Sequence, residues 1–185
     1  MNAIRNQSED IKKIMAFVAR PSPSGSQINY GFVSGGNLSV AEKLANANLS
    51  AELLDQTTMP FVHLVKDGQI VANFQNTVFE SIVARLVCDG RNNGPARGNG
   101  PHDGLAFVAA QNQTVELSMY SYAAVMIHHC IQQFYYGEQL EDIPFDAEEV
   151  QELADLIQAR LASLEQDDQL SARRRILALA AHRLD

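Results

Sequence analysis

Met59-Pro-Phe-Val-His-Leu-Val-Lys-Asp-Gly-Gln-Ile-Val-Ala-Asn-Phe74 is the stretch whose reading decides the fold. Two β-rich runs, Phe61 to Lys66 and Gln69 to Phe74, flank Asp67-Gly68. That dipeptide favours the positive φ angles of a tight turn whose twist matches its flanking strands, so the stretch predicts a β-hairpin. Thr77-Val-Phe-Glu80 follows at once and has the spacing of a capping box. Phe79, Ile82, Val83, Leu86 and Val87 then recur at the helical period, which predicts one apolar stripe directly behind the hairpin.

Upstream, Ile11, Ile14, Met15 and Val18 predict an amphipathic helix from Ser8 to Arg20, stopped by Pro21, Pro23 and Gly25. Ile28, Tyr30 and Phe32 alternate within Gln27 to Ser34, a strand pattern ended by Gly35-Gly36. Ser39-Val-Ala-Glu42 is a second capping box. It should open a helix through Ala47, with a further short helix over Ser50 to Gln56.

Downstream the chain changes character. Asp89 to Gly104 holds five glycines and two prolines in sixteen residues, and no apolar residue larger than alanine. Such a segment buries too little to offset its ordering entropy, so it reads as a loop or linker. It divides an α/β part, 1–88, from a mainly helical part, 105–185. In the latter, Leu105 to Ala110 reads as a short strand and Val115 to Tyr136 as a helix apolar on most of its circumference, ended by Gly137. Asp146 caps a helix to Leu164, with Val150, Leu153, Ile157, Leu161 and Leu164 inward. A last helix spans Leu170 to Leu184, and the short connection predicts an antiparallel helical hairpin. The expected class is α/β or α+β: a small mixed sheet with a β-hairpin flanked by helices, followed by a C-terminal helical layer.

Met59-Pro60, an apolar strand, the Lys66-Asp67-Gly68 turn, a second strand and an amphipathic helix to Asp89 resemble the second half of a thioredoxin fold, and with the strand Ile28 to Ser34 and the helix from Ser39 the resemblance covers about 60 residues. The resemblance implies that Pro60 is a cis proline and that the strand and helix before it belong to the same layout. Thioredoxin redox activity needs a Cys-x-x-Cys pair upstream of that proline, and no cysteine precedes Cys88. The resemblance therefore implies a redox-inactive scaffold or adaptor, and a fold alone does not set a function.

Charge narrows the partners. The 185-residue chain carries a net −8, but Glu138 to Asp168 holds eleven acidic residues and one basic residue, Arg160, leaving the rest slightly basic. An acidic surface disfavours direct contact with a nucleic-acid backbone. No apolar run approaches the roughly 20 residues that span a bilayer, so no membrane contact is expected. The polar, acidic start of the chain lacks a secretory pattern, which predicts a cytoplasmic protein with free thiols. Glu148, Glu149, Glu152 and Asp155 crowd one helix beside a regular apolar stripe. Arg173, Arg174 and Arg175 lie early in the next, where the helix dipole disfavours cations. These seven residues are the expected contact surface for a protein partner or a second copy, and a homo-oligomer is expected.

An enzyme is the alternative. His128-His129-Cys130 is the candidate cluster, built around Cys130 and a histidine. Adjacent residues on a helix point about 100° apart, so the three cannot converge on one ion or form a nucleophile–base pair by sequence adjacency. The glycines after Asp89 follow a helix rather than a strand, which fails the dinucleotide pattern. No catalytic residue, metal site or cofactor is expected.

Overall fold

The structure, a computed structural model, describes residues 11–12, 14–15, 18–20, 29–89, 117–140, 143–144 and 146–182. The Gly/Asn-rich segment beyond Asp89, the strand over Leu105 to Ala110 and the side chain of Cys88 lie outside what is described. The elements are β1 (Ala19–Arg20), β2 (Phe32–Val33), α1 (Val40–Leu53), β3 (Leu64–Lys66), β4 (Gln69–Ala72), α2 (Thr77–Asp89), α3 (Leu117–Gln132), α4 (Ala147–Ala162) and α5 (Gln166–His182). The mixed α/β class is as expected. Described residues 11, 12, 14, 15 and 18 are helical, but Ala19 and Arg20 are extended and pair in parallel with Phe32 and Val33. The first helix therefore ends before Ala19.

The hairpin turns where Asp67-Gly68 requires, with φ of 50° and 72°. Its strands are shorter than the apolar runs. Met59 has φ of 43°, and its carbonyl accepts from the N–H groups of both Val62 and His63, so 61–63 is a turn. At the other end Phe74 has φ of 56° and donates its N–H to His63 Nδ1 at 3.0 Å instead of to the ladder. No cis peptide bond occurs among the described residues, so Pro60 is trans, unlike the proline the thioredoxin resemblance implies.

Caps explain the helix starts. Ser39 and Glu42 form the expected reciprocal box, and Asp146 accepts from the N–H groups of Glu148 and Glu149. The box expected at Thr77 and Glu80 is not used. Asn76 Oδ1 accepts from Val78 and Phe79, and Glu80 instead pairs with Arg175. Helix α1 is continuous through the point where a break was expected. Asn46 and Ser50, weak helix formers, are held by tertiary bonds: Asn46 to Val33 and Gly137, and Ser50 to the Ile131 carbonyl. Helix α3 stops at Gln132, and turns carry the chain to Gly137, whose φ is 87°.

Helix α3 is the centre of the molecule, with α2 on one side and α4 on another. Tyr120, Ala123, Ala124, Ile127, Cys130 and Ile131 are buried, so the apolar circumference seen in sequence is covered within the chain. One core cluster joins Phe32, Phe61, Phe74 and Phe79 from the first part with Tyr120, Phe134, Ile157 and Ile176 from the second. Phe32 and Phe134 stack at 4.6 Å. Each such ring buried contributes about 1.5–3 kcal/mol. The antiparallel hairpin of α4 and α5 does not form. Helix α5 begins four residues earlier than expected and packs along α2, while α4 packs on α3. Its inward residues Ala172 and Ile176 complete the α2 side of the core.

Candidate functional site

Helix α4 presents two faces. Ile157 and Leu161 are buried, with Val150 and Leu153 half-buried beside them. On the outer face Glu148, Glu149, Glu152 and Asp155 are all exposed. Glu148 and Glu149 lie in the first turn, where carboxylates suit the helix dipole. Two of the four carboxylates are held: Gln132 Nε2 donates to Glu149 Oε1 at 2.7 Å, and Gln151 Nε2 to Asp155 Oδ1 at 2.8 Å. The side chains of Glu148 and Glu152 make no hydrogen bond or ion pair among the described residues.

Between α4, α3 and the 54–61 connection lies a groove of about 110 Å³. Leu54, Met59, Phe61, Leu153 and Leu156 give it apolar walls, and Gln56, His128, Glu149 and Glu152 give it polar groups. Met59 and Phe61 are each 1% exposed and form the floor, whereas Leu156 is 43% exposed at the rim. A neighbouring pocket of about 10 Å³, lined by Val125, His129, Gln132 and Asp146 among others, has room for about one water.

The candidate nucleophile is inert. Cys130 is fully buried, burial pushes its thiol up to about 12, and its Sγ lies 3.9 Å from the Ile11 carbonyl. A thiol in apolar surroundings stays protonated and unreactive. His128 is held down to about 4 by burial and by His129, and burial also lowers His129. His128 Nε2 lies 3.9 Å from Glu149 Oε1, beyond hydrogen-bond reach. The helical geometry separates the three: His128 faces the groove and Cys130 faces the helical turn at Ile11. Among the described residues no three His, Cys, Asp or Glu side chains converge to hold a metal ion.

His63 is a buried imidazole that sequence did not single out. Its Nδ1 lies 3.0 Å from the Phe74 N–H, which it accepts. Nε2 sits 3.2 Å from an Arg160 guanidinium nitrogen. Burial and that guanidinium hold His63 down to about 4.

The two halves of the expected contact surface are not brought together. Arg173, Arg174 and Arg175 fall in the middle of α5, away from either helix end, so the dipole no longer opposes them. Arg175 Nε donates to Glu80 Oε1 on α2 at 2.7 Å and its Nη1 to Ser171 Oγ at 3.0 Å. Arg173 Nε is buried without a hydrogen-bond partner among the described residues, and Arg174 is exposed. The groove floor at Met59 and Phe61 is a long-range feature. Its nearest sequence signal is the turn chemistry around Asp55 and Pro60.

The chain matches no protein-family model, no curated protein and no solved structure. Among the described residues no helix is long and apolar enough to cross a membrane.

Proposed function

We propose that this chain is a non-enzymatic interaction or assembly protein that contacts its partner through the acidic outer face of α4 and associates with copies of itself. The observation that carries the reading is the set of four exposed carboxylates at 148, 149, 152 and 155, two of them without a partner among the described residues, beside an open groove. Carboxylates so displayed steer a basic surface into register. The inert Cys130 supports the non-enzymatic half. Self-association has its own support. Val40 and Leu44 of α1 and Tyr135, Tyr136 and Leu140 after α3 are exposed large apolar side chains. They lie on the two segments that Asn46 and the Lys43–Glu138 ion pair tie together. Exposed apolar surface of this kind marks contact sites.

Sedimentation equilibrium tests the assembly. The wild-type chain is expected to exceed its monomer mass of 20.3 kDa at micromolar concentration. The variant with Glu148, Glu149, Glu152 and Asp155 all replaced by lysine is expected to lose that association while keeping its helical circular dichroism. A monomeric wild type contradicts self-association, and unchanged association of the folded variant excludes the acidic face as the self-contact and leaves the apolar residues of α1 and 135–140 to make it.

A further inference from the structure

We infer that the groove beside α4 is a pocket for one arginine side chain of a partner segment, flanked in that segment by apolar residues. The inference rests on the acidic-contact reading and names the chemistry of its ligand. An arginine has two parts, an aliphatic stem and a planar guanidinium, and the groove is divided in the same way. Met59 and Phe61 make an apolar floor, and Leu54, Leu153 and Leu156 make the walls along which a stem lies. Glu149 and Glu152, one turn apart on α4, place two carboxylates at the mouth. Gln132 fixes one oxygen of Glu149 at 2.7 Å, which preorganises that acceptor, while Glu152 has no partner among the described residues.

One feature favours a guanidinium over an ammonium. Of the two rings that line the groove, Phe61 is buried beneath and His128 is partly exposed, with their centroids 6.0 Å apart. A guanidinium stacks on a ring such as His128 and donates through a fork that reaches two carboxylates, whereas an ammonium is a strongly hydrated point charge. At about 110 Å³ the groove is too large for a lone water and too small for a folded element. Charge supplies the last argument, because Glu138 to Asp168 is strongly acidic and a neutral or anionic occupant leaves both mouth carboxylates uncompensated.

The 185-residue chain is labelled with 13C at methionine methyl groups, and the Met59 signal is assigned by Met59→Leu. The probe is an amidated, acetylated tripeptide with one arginine between two leucines. It is compared with the same peptide carrying lysine, or the uncharged isostere citrulline, in the central place. A saturable shift of the Met59 methyl is expected, with the methyls of Met119 and Met126 unmoved. The Glu149→Gln, Glu152→Gln double variant should bind about tenfold more weakly, as two part-exposed ion pairs predict. Citrulline should bind more weakly than lysine, and lysine more weakly than arginine. No Met59 shift, or equal binding of the citrulline and arginine peptides, overturns the pocket. Neither result touches the wider reading, which rests on association of the whole chain and involves Glu148 and Asp155 outside the groove. Loss of that association with no peptide shift removes the pocket alone.

Discussion

Replacing Asn46 with alanine is expected to lower the unfolding free energy by about 3 kcal/mol or more, since each buried polar group left unpaired costs about 1–3 kcal/mol. Asn46 is 2% exposed and makes three bonds with its amide. Its Oδ1 accepts the Val33 N–H at 3.0 Å, and its Nδ2 donates to the carbonyls of Val33 at 2.8 Å and Gly137 at 2.9 Å. One side chain on α1 thus ties the parallel pair β1–β2 to the turn after α3. Alanine leaves three backbone groups of two distant segments without a partner. Gly137→Ala attacks the same junction from the other side. At φ of 87° the glycine lets the backbones meet, and a Cβ there would lie 2.8 Å from the Lys43 carbonyl carbon and closer still to its oxygen. Urea unfolding followed by circular dichroism reads both variants. A loss under about 1 kcal/mol for both, with an unchanged m-value, would mean that the junction does not form.

The second large effect is on pH. His63 and His128 have their folded-state values lowered to about 4, burial being the first cause in each. Around them stand Arg160 for His63, and His129 and Glu149 for His128. Because the folded state binds protons less readily than the unfolded chain, the contribution of each is complete above the unfolded value near 6.5. It is lost as pH falls toward 4. Between pH 7 and pH 5 each histidine should remove about 2 kcal/mol, on the order of magnitude that linkage allows. Burial lowers His129 in the same sense. Thermal unfolding at pH 7, 6 and 5 should show a falling midpoint, and the His63→Gln, His128→Gln double variant should flatten that slope. A midpoint that holds between pH 7 and 5 in the wild type would contradict buried neutral imidazoles.

Local chemistry in this chain was legible where it is self-contained. Ser39 and Glu42, Asp67 and Gly68, and Asp146 each set a cap or turn with partners within a few residues. Reading failed where a distant partner competes. The strand at Phe61 is shortened by the turn around the Met59 carbonyl, and His63 takes the Phe74 N–H. The cap moved from Thr77 to Asn76, whose side chain also donates to the Pro60 carbonyl, and Glu80 was drawn to Arg175 on α5. A short connection suggested that α4 and α5 pair, yet the buried stripe of Ala172 and Ile176 finds α2 instead. The candidate site divides in the same way. The acidic face of α4 follows from helical periodicity alone, while the groove floor at Met59 and Phe61 comes from a segment about 90 residues earlier.

Affinity capture from native cell extract, read by mass spectrometry, tests the acidic contact most directly. The wild-type chain is the bait, and the folded variant carrying lysine at 148, 149, 152 and 155 is the control. The account predicts a partner with a basic contact segment that the wild type retains and the variant loses. The same partner retained equally by both would contradict it.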